Sequence, residues 1–263
     1  MKFGYLGFCL LLLTFSYSTN AQQHKEQRFS ASFTIGNALP VGAFGHKPTN
    51  SSTDSSGNTL LGIAGKLSIR YKIINGFGAS FAVSNSVFVE DNDAIKDNIK
   101  KNLGDNYSVT VKTDAWRIYS AMVGAFYSFA TGKKNKWFIT PQLEAGVCKV
   151  IQPGYSYSYG PSDFNAGTGY YAGSATMPSR SLKTAFCYQA TVNTEYNLPG
   201  NCFLLFNLSY YACRPEFLYP GNGSSNWNPT FSFTGGTVVI PPPITRSQTL
   251  SSIHFLTGAG IRF

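Results

Sequence analysis

Two carboxylates stand apart by position. Glu26, Asp54, Glu90, Asp91, Asp93, Asp97, Asp105, Asp114, Asp163 and Glu216 fall in stretches that read as ends or loops. Glu144 and Glu195 lie inside alternating apolar–polar segments, "WFITPQLEAGVCK" and "LKTAFCYQATVNTEYNL". A carboxylate held away from water must be paired or neutralised. Lys66, Arg70, Lys183 and Arg262 occupy the same polar side of their own segments. At about 3.3 Å of rise per residue from the nearest turns, Glu195 falls level with Arg70 and Arg262. Glu144 falls level with Lys66. Two ion-pair layers are expected: Glu195 with Arg70 or Arg262, and Glu144 with Lys66. Such layers make a structural plug or a gated path for a proton or ion.

The thiols are the second chemistry. Cys148, Cys187, Cys202 and Cys213 lie in the body of the chain. If the segments on either side of Gly200 pair about that residue, Cys187 stands opposite Cys213. Directly opposed residues come within about 4.5–5.5 Å, which is disulfide range, and an exported protein meets oxidising conditions. The alternative is two free buried thiols. Hydrolase chemistry has one candidate, Ser252 with His254 two residues on. No acid follows them, so the third member of a triad is missing. His24 and His46 stand alone, and no His/Cys/Asp spacing suits a metal. No catalytic residue, cofactor or metal is assigned.

These groups need a scaffold, and the pattern around them supplies one. Eight stretches alternate with period two: 28–39, 60–72, 77–89, 115–129, 137–149, 182–198, 202–213 and 251–263. In the last, Ile253, Phe255, Ala259, Ile261 and Phe263 share one parity, while His254, Leu256, Gly258, Gly260 and Arg262 share the other. That is a strand with one apolar face. The 115–129 stretch is apolar on both sides; Tyr119, Ala121, Val123, Ala125 and Tyr127 are assigned to its outer face. Leu182, Phe186, Tyr188 and Val192 are assigned outward in 182–198.

The connections alternate as well. "IING", "TGKKNK" and "PGN" are short turns. The others, roughly 40–59, 90–114, 150–181 and 214–249, are long and rich in Gly, Ser, Asn and Pro. Short turns on one side and long loops on the other mark transmembrane β-barrels. Closure leaves no backbone group unpaired in the bilayer, so the apolar face meets lipid. Aromatic girdles are expected at Tyr71, Phe77, Tyr127, Trp137, Tyr196 and Phe263 on the turn side, and at Trp116, Tyr210 and Tyr211 on the loop side. The competing reading is a secreted soluble β-sandwich or lipocalin-like binding protein, with the apolar face turned inward. Its exterior would carry many Lys and Glu, whereas the second faces here are rich in Gly, Ser and Thr.

At the start, "MKFGYLGFCLLLLTFSYSTNAQQ" has Lys2, an apolar run from Phe3 to Phe15, and Thr19 and Ala21 before a cut ahead of Gln22. This reads as a signal peptide over 1–21, leaving the barrel as 22–263. The 21 Lys+Arg against 12 Asp+Glu make the chain basic. Those cations are scattered and form no stripe, which argues against nucleic acid. In the second long loop, Ile95, Ile99 and Leu103 recur every fourth residue and predict a short amphipathic helix.

The signal peptide, the first-strand exit "GNALPVGAFG" (36–45) and the terminal alternation ending in Phe263 together resemble the small, eight-stranded, porin-type outer-membrane β-barrel family of Gram-negative bacteria. The resemblance implies an all-β, antiparallel up-and-down barrel in the bacterial outer membrane. It further implies that the C-terminal Phe263 is read by the barrel-assembly machinery. It transfers no substrate and no active site. The expected role is non-enzymatic, structural or surface-interactive through the loops, with the outer-membrane lipid bilayer and, during biogenesis, the barrel-assembly machinery as partners and the external ligand unknown. The alternative role is a narrow channel for small or apolar solutes.

Overall fold

The computed structural model describes residues 27–45, 59–103, 106–131, 136–161, 173–177, 179–219 and 244–263. The proposed signal peptide lies outside them. Eight long strands follow in chain order: β1 (Phe29–Val41), β2 (Thr59–Ile74), β3 (Phe77–Glu90), β4 (Ala115–Tyr127), β5 (Trp137–Gln152), β6 (Ala185–Asn197), β7 (Cys202–Cys213) and β8 (Leu250–Arg262). Each pairs antiparallel with its sequence neighbour. β1 also pairs with β8, from Ser30 opposite Arg262 to Val41 opposite Ser251, which closes the barrel.

Alternation in sequence becomes alternation in space. Leu143, Phe186 and Val123 are 69%, 65% and 63% exposed. Glu144, beside Leu143 in the chain, is 3% exposed on the inner side. Rows of exposed Leu, Ile, Phe and Val cover the outside from β1 to β8. Water does not tolerate so large an apolar belt, and a lipid bilayer is the solvent that suits it. A soluble lipocalin-like barrel would have these faces exchanged.

The turn end is tight. Asn75 (φ 40) and Gly76 (φ 86) join β2 to β3 with left-handed backbone at both positions, as a two-residue hairpin matching the strand twist requires. At the loop end, β1 runs into a single 3-10 turn, Gly42–Phe44. This turn tucks Phe44 into the barrel mouth, fully buried. Its ring meets Phe88 and Trp116 edge-on at 5.0 and 5.7 Å, and the Thr59 hydroxyl donates to its carbonyl.

Three outward placements are corrected here. Trp116 faces the interior and donates its indole N–H to Glu90 Oε1 at 3.0 Å. Tyr211 is also inside, stacked on His254 at 5.8 Å. Tyr210 and Tyr211 are adjacent, so only one can face lipid, and that one is Tyr210. The loop-side aromatic ring is therefore Tyr119, Phe186, Tyr188 and Tyr210, all exposed. Leu182 precedes β6, where the alternation is not yet established, and it packs on the inner apolar cluster.

Above the barrel, Tyr107–Thr113, Tyr155–Pro161 and Gly173–Met177 form a three-stranded sheet. The helix α1 (Asn92–Leu103) begins where Asp91 Oδ1 accepts the Ala94 N–H at 3.1 Å, and it packs against Tyr107–Thr113. Burial in this assembly raises the Tyr157 phenol above its ordinary pKa.

The solvent of the outer face is testable. Leu143→Arg is expected to destabilise the bilayer-inserted barrel by about 2–4 kcal/mol, measured by denaturant unfolding from liposomes. A water-facing site would tolerate the same change within about 0.5 kcal/mol.

Candidate functional site in the barrel interior

Strand parity delivers polar side chains to the lumen in tiers. At the turn end, β2 supplies Arg70, β6 supplies Glu195 and β8 supplies Arg262. Arg70 Nη1 donates to Glu195 Oε1 at 2.5 Å, and Arg262 Nη2 donates to Oε2 at 2.6 Å. The Thr140 hydroxyl adds a bond to Oε1 at 3.2 Å, and Arg262 also reaches Asn197 Oδ1. Phenyl rings hold the guanidiniums in place. Arg262 lies 4.6 Å from the Phe203 ring and 5.3 Å from Phe138. Arg70 lies 5.6 and 5.7 Å from Phe126 and Phe203. Planar guanidinium suits this combination of forked bonding and stacking.

The next tier is built on Lys66 and Glu144. Lys66 Nζ donates to Glu144 Oε2 and to Gln189 Oε1, the latter at 3.0 Å. Ser80 donates to Glu144 Oε1 at 3.2 Å, and Gln189 continues to Ser209 at 2.7 Å. Gly124, opposite Glu144 in the neighbouring strand, gives this side chain its room. A Cβ there would stand 2.7 Å from Glu144 Cγ and 2.0 Å from the Leu143 carbonyl oxygen. Between the tiers run Asn207 to Asn193 at 2.9 Å and Asn193 to Gln142 at 3.1 Å. The cavity beside them, lined by Ser32, Ser68 and Asn207, measures about 10 Å³, room for one water at most.

The third tier, nearest the loops, is apolar. Phe44, Phe88, Trp116, Ile118, Met122 and Leu256 fill it together with Cys148, Cys187 and Cys213. Cys187 and Cys213 are direct register partners. Cys148 sits diagonally beside Cys187, since Cys148 faces Ala185 and Cys187 faces Gly146. All three thiols are free and buried, and Cys202 is exposed. Ser252 and His254 bond to each other at 2.7 Å. Among the described residues no carboxylate is bonded to His254, and a triad would need one.

Lys183 is corrected. It points outward, 84% exposed, 3.8 Å from Glu216, because β6 starts only at Ala185 and the residue before it does not inherit the inner parity. Phe203, Phe138 and Phe126, which flank the arginines, follow from parity once the barrel is drawn. Phe44 does not, because it leaves the strand before turning inward.

Below the arginine tier, a cavity of about 240 Å³ opens at the turn end, lined by Lys72, Phe126, Phe138 and Arg262 among others. The lumen above it is closed by side chains. Among the described residues no group of His, Cys, Asp and Glu is arranged to hold a metal ion.

No family model and no curated relative matches the sequence. Solved structures do. The attachment invasion locus protein Ail of Yersinia pestis aligns at 15% identity and a TM-score of 0.39, covering 90% of this chain and 99% of that one. Neisserial surface protein A aligns at 14% identity and 0.40, covering 89% and 97%. Outer membrane protein W of Escherichia coli aligns at 16% identity and 0.35, covering 92% and 100%.

Two outcomes are expected. Glu195→Gln strands the buried Arg70 guanidinium and the half-buried one of Arg262 and costs about 3 kcal/mol of unfolding free energy, while replacing Lys66 and Glu144 together by Met and Leu is close to neutral; urea titration of the inserted barrel reads both. Non-reduced peptide mapping by mass spectrometry, after export to an oxidising compartment, is expected to find Cys187 joined to Cys213. Alkylation of both without reductant rules the bond out.

Proposed function

We propose that the chain is a bacterial outer-membrane barrel, non-enzymatic and non-conducting, which acts at the cell surface through its long loops. The observation that carries this reading is the filled lumen. An ionic tier, a polar tier and an apolar tier under Phe44 lie in series, and the cavity between the first two holds no more than one water. A barrel of eight strands has just enough interior for such a filling. The loop sheet and α1 give the outer end a folded surface, and loops on a rigid scaffold are where recognition residues concentrate.

The cavity at the turn end supports a second reading, the vestibule of a narrow channel. Planar-bilayer recording separates the two. Silence at all applied voltages is expected, unchanged in Glu144→Gln and Lys66→Met. Discrete conductance steps that respond to either substitution establish the channel.

A further inference from the structure

Cations are scarce on the lipid-facing side of the barrel, and three of them are neighbours. Arg117 on β4 and Lys149 on β5 are exposed and share the outward parity of Tyr119 and Val147. Tyr119 pairs with Lys149 and Arg117 with Ile151, so Arg117 and Lys149 are diagonal neighbours, about 7–8 Å apart at the backbone. Lys183, two residues before β6, continues the arc. Leu182, just before it, donates its N–H to the Val150 carbonyl, which brings the Lys183 backbone beside Lys149, and the Lys183 side chain is exposed.

Their height matters. Arg117, Lys149 and Lys183 stand about ten to thirteen residues above Tyr127, Trp137 and Tyr196, roughly 25–33 Å for strands tilted about 40°. The apolar band of such barrels is about 25 Å tall. The three cations therefore sit at its outer rim, level with headgroups, directly above the aromatic ring of Tyr119 and Phe186. The same level on β1, β2 and β3 carries Leu39, Leu61 and Val89, all exposed and apolar. Charge is thus concentrated on one flank. Glu216 faces Lys183 at 3.8 Å in the open, a contact too exposed to neutralise the arc.

We propose that Arg117, Lys149 and Lys183 form a clamp for the phosphate-bearing headgroup of an outer-leaflet lipid. Arg117 binds the phosphate as a fork and the lysines as point charges. The Tyr119 hydroxyl lies within the same patch, and the acyl chains lie along Phe186 and Val147. The occupant is a lipid rather than a soluble phosphate because the cations share a parity with, and stand over, a surface that only acyl chains cover. The inference rests on the membrane reading above.

The test is native mass spectrometry of the full mature chain, folded in detergent and titrated with dioleoyl phosphatidic acid. Each cation near an anionic surface is worth about fivefold in affinity, so removing all three (Arg117→Ala, Lys149→Ala, Lys183→Ala) is expected to weaken retention by about 100-fold. Lys112→Ala, which removes an exposed loop cation outside the arc, is expected to change nothing. Dioleoyl phosphatidylcholine and inorganic phosphate are expected to compete poorly. A heat-dependent gel shift confirms that each variant is folded. If the triple variant does not fold, Lys149→Ala alone is expected to lose about fivefold. Equal retention by a folded triple variant, equal loss in Lys112→Ala, or displacement by inorganic phosphate overturns the clamp. Loss of the gel shift in the parent protein would instead strike at the membrane reading itself.

Discussion

Closure is the constraint on which everything else depends. A bilayer offers no hydrogen bonds to a bare strand edge, and each unpaired backbone group there costs several kcal/mol. The pairing of β1 with β8 along nearly their whole length removes the last edge. Once the sheet is closed, every strand must show one face to lipid and the other to a lumen too narrow for bulk water. The polar side chains are then trapped inside with each other.

The tiers of the lumen follow from that confinement. A charge left alone inside is costly, so each carboxylate has its cation: Glu195 between Arg70 and Arg262, and Glu144 on Lys66. Ion pairs of this kind do not by themselves add much stability over an apolar filling. What they add is geometry. Each links strands far apart in sequence, β2 to β6 and β6 to β8, β2 to β5, and so holds the cross-section while the aromatic rings brace the guanidiniums. The apolar tier under Phe44 then closes the loop end, leaving the loop sheet and α1 as the parts open to a partner. The basic arc on the outer rim would fix that platform's rotational setting against the headgroups on one flank only.

The misplacements share a physical origin. Trp116 and Tyr211 are amphipathic aromatics, equally suited to a membrane interface and to a barrel core whose polar groups can take their hydrogen bonds. Composition does not separate the two cases, and parity does only when the strand's first residue is known. Lys183 shows the converse. Its segment is strand-like in sequence, but regular pairing in β6 begins two residues later, and the side chain falls outside. Glu144, Glu195, Lys66, Arg70 and Arg262 all lie in the paired register of their strands, Arg262 at the very end of β8, where a period of two admits no ambiguity once the apolar face is assigned.

Read alone, the chain determined its strand count, its two faces, the alternation of turns and loops, and the opposition of Cys187 and Cys213. All of these are local properties, set by period-two alternation and by turn residues that act over a few positions. The levels of the strands from their turns already matched Glu144 with Lys66; tertiary structure decided that Arg70 and Arg262 share Glu195, and that Phe44 folds back into the mouth. It also decided that Cys148 joins the other two thiols and that Arg117, Lys149 and Lys183 converge on one rim. These depend on the stagger between strands and on the curvature that carries inward side chains toward a common axis. Neither is encoded in any single segment, because both arise only when all eight strands close.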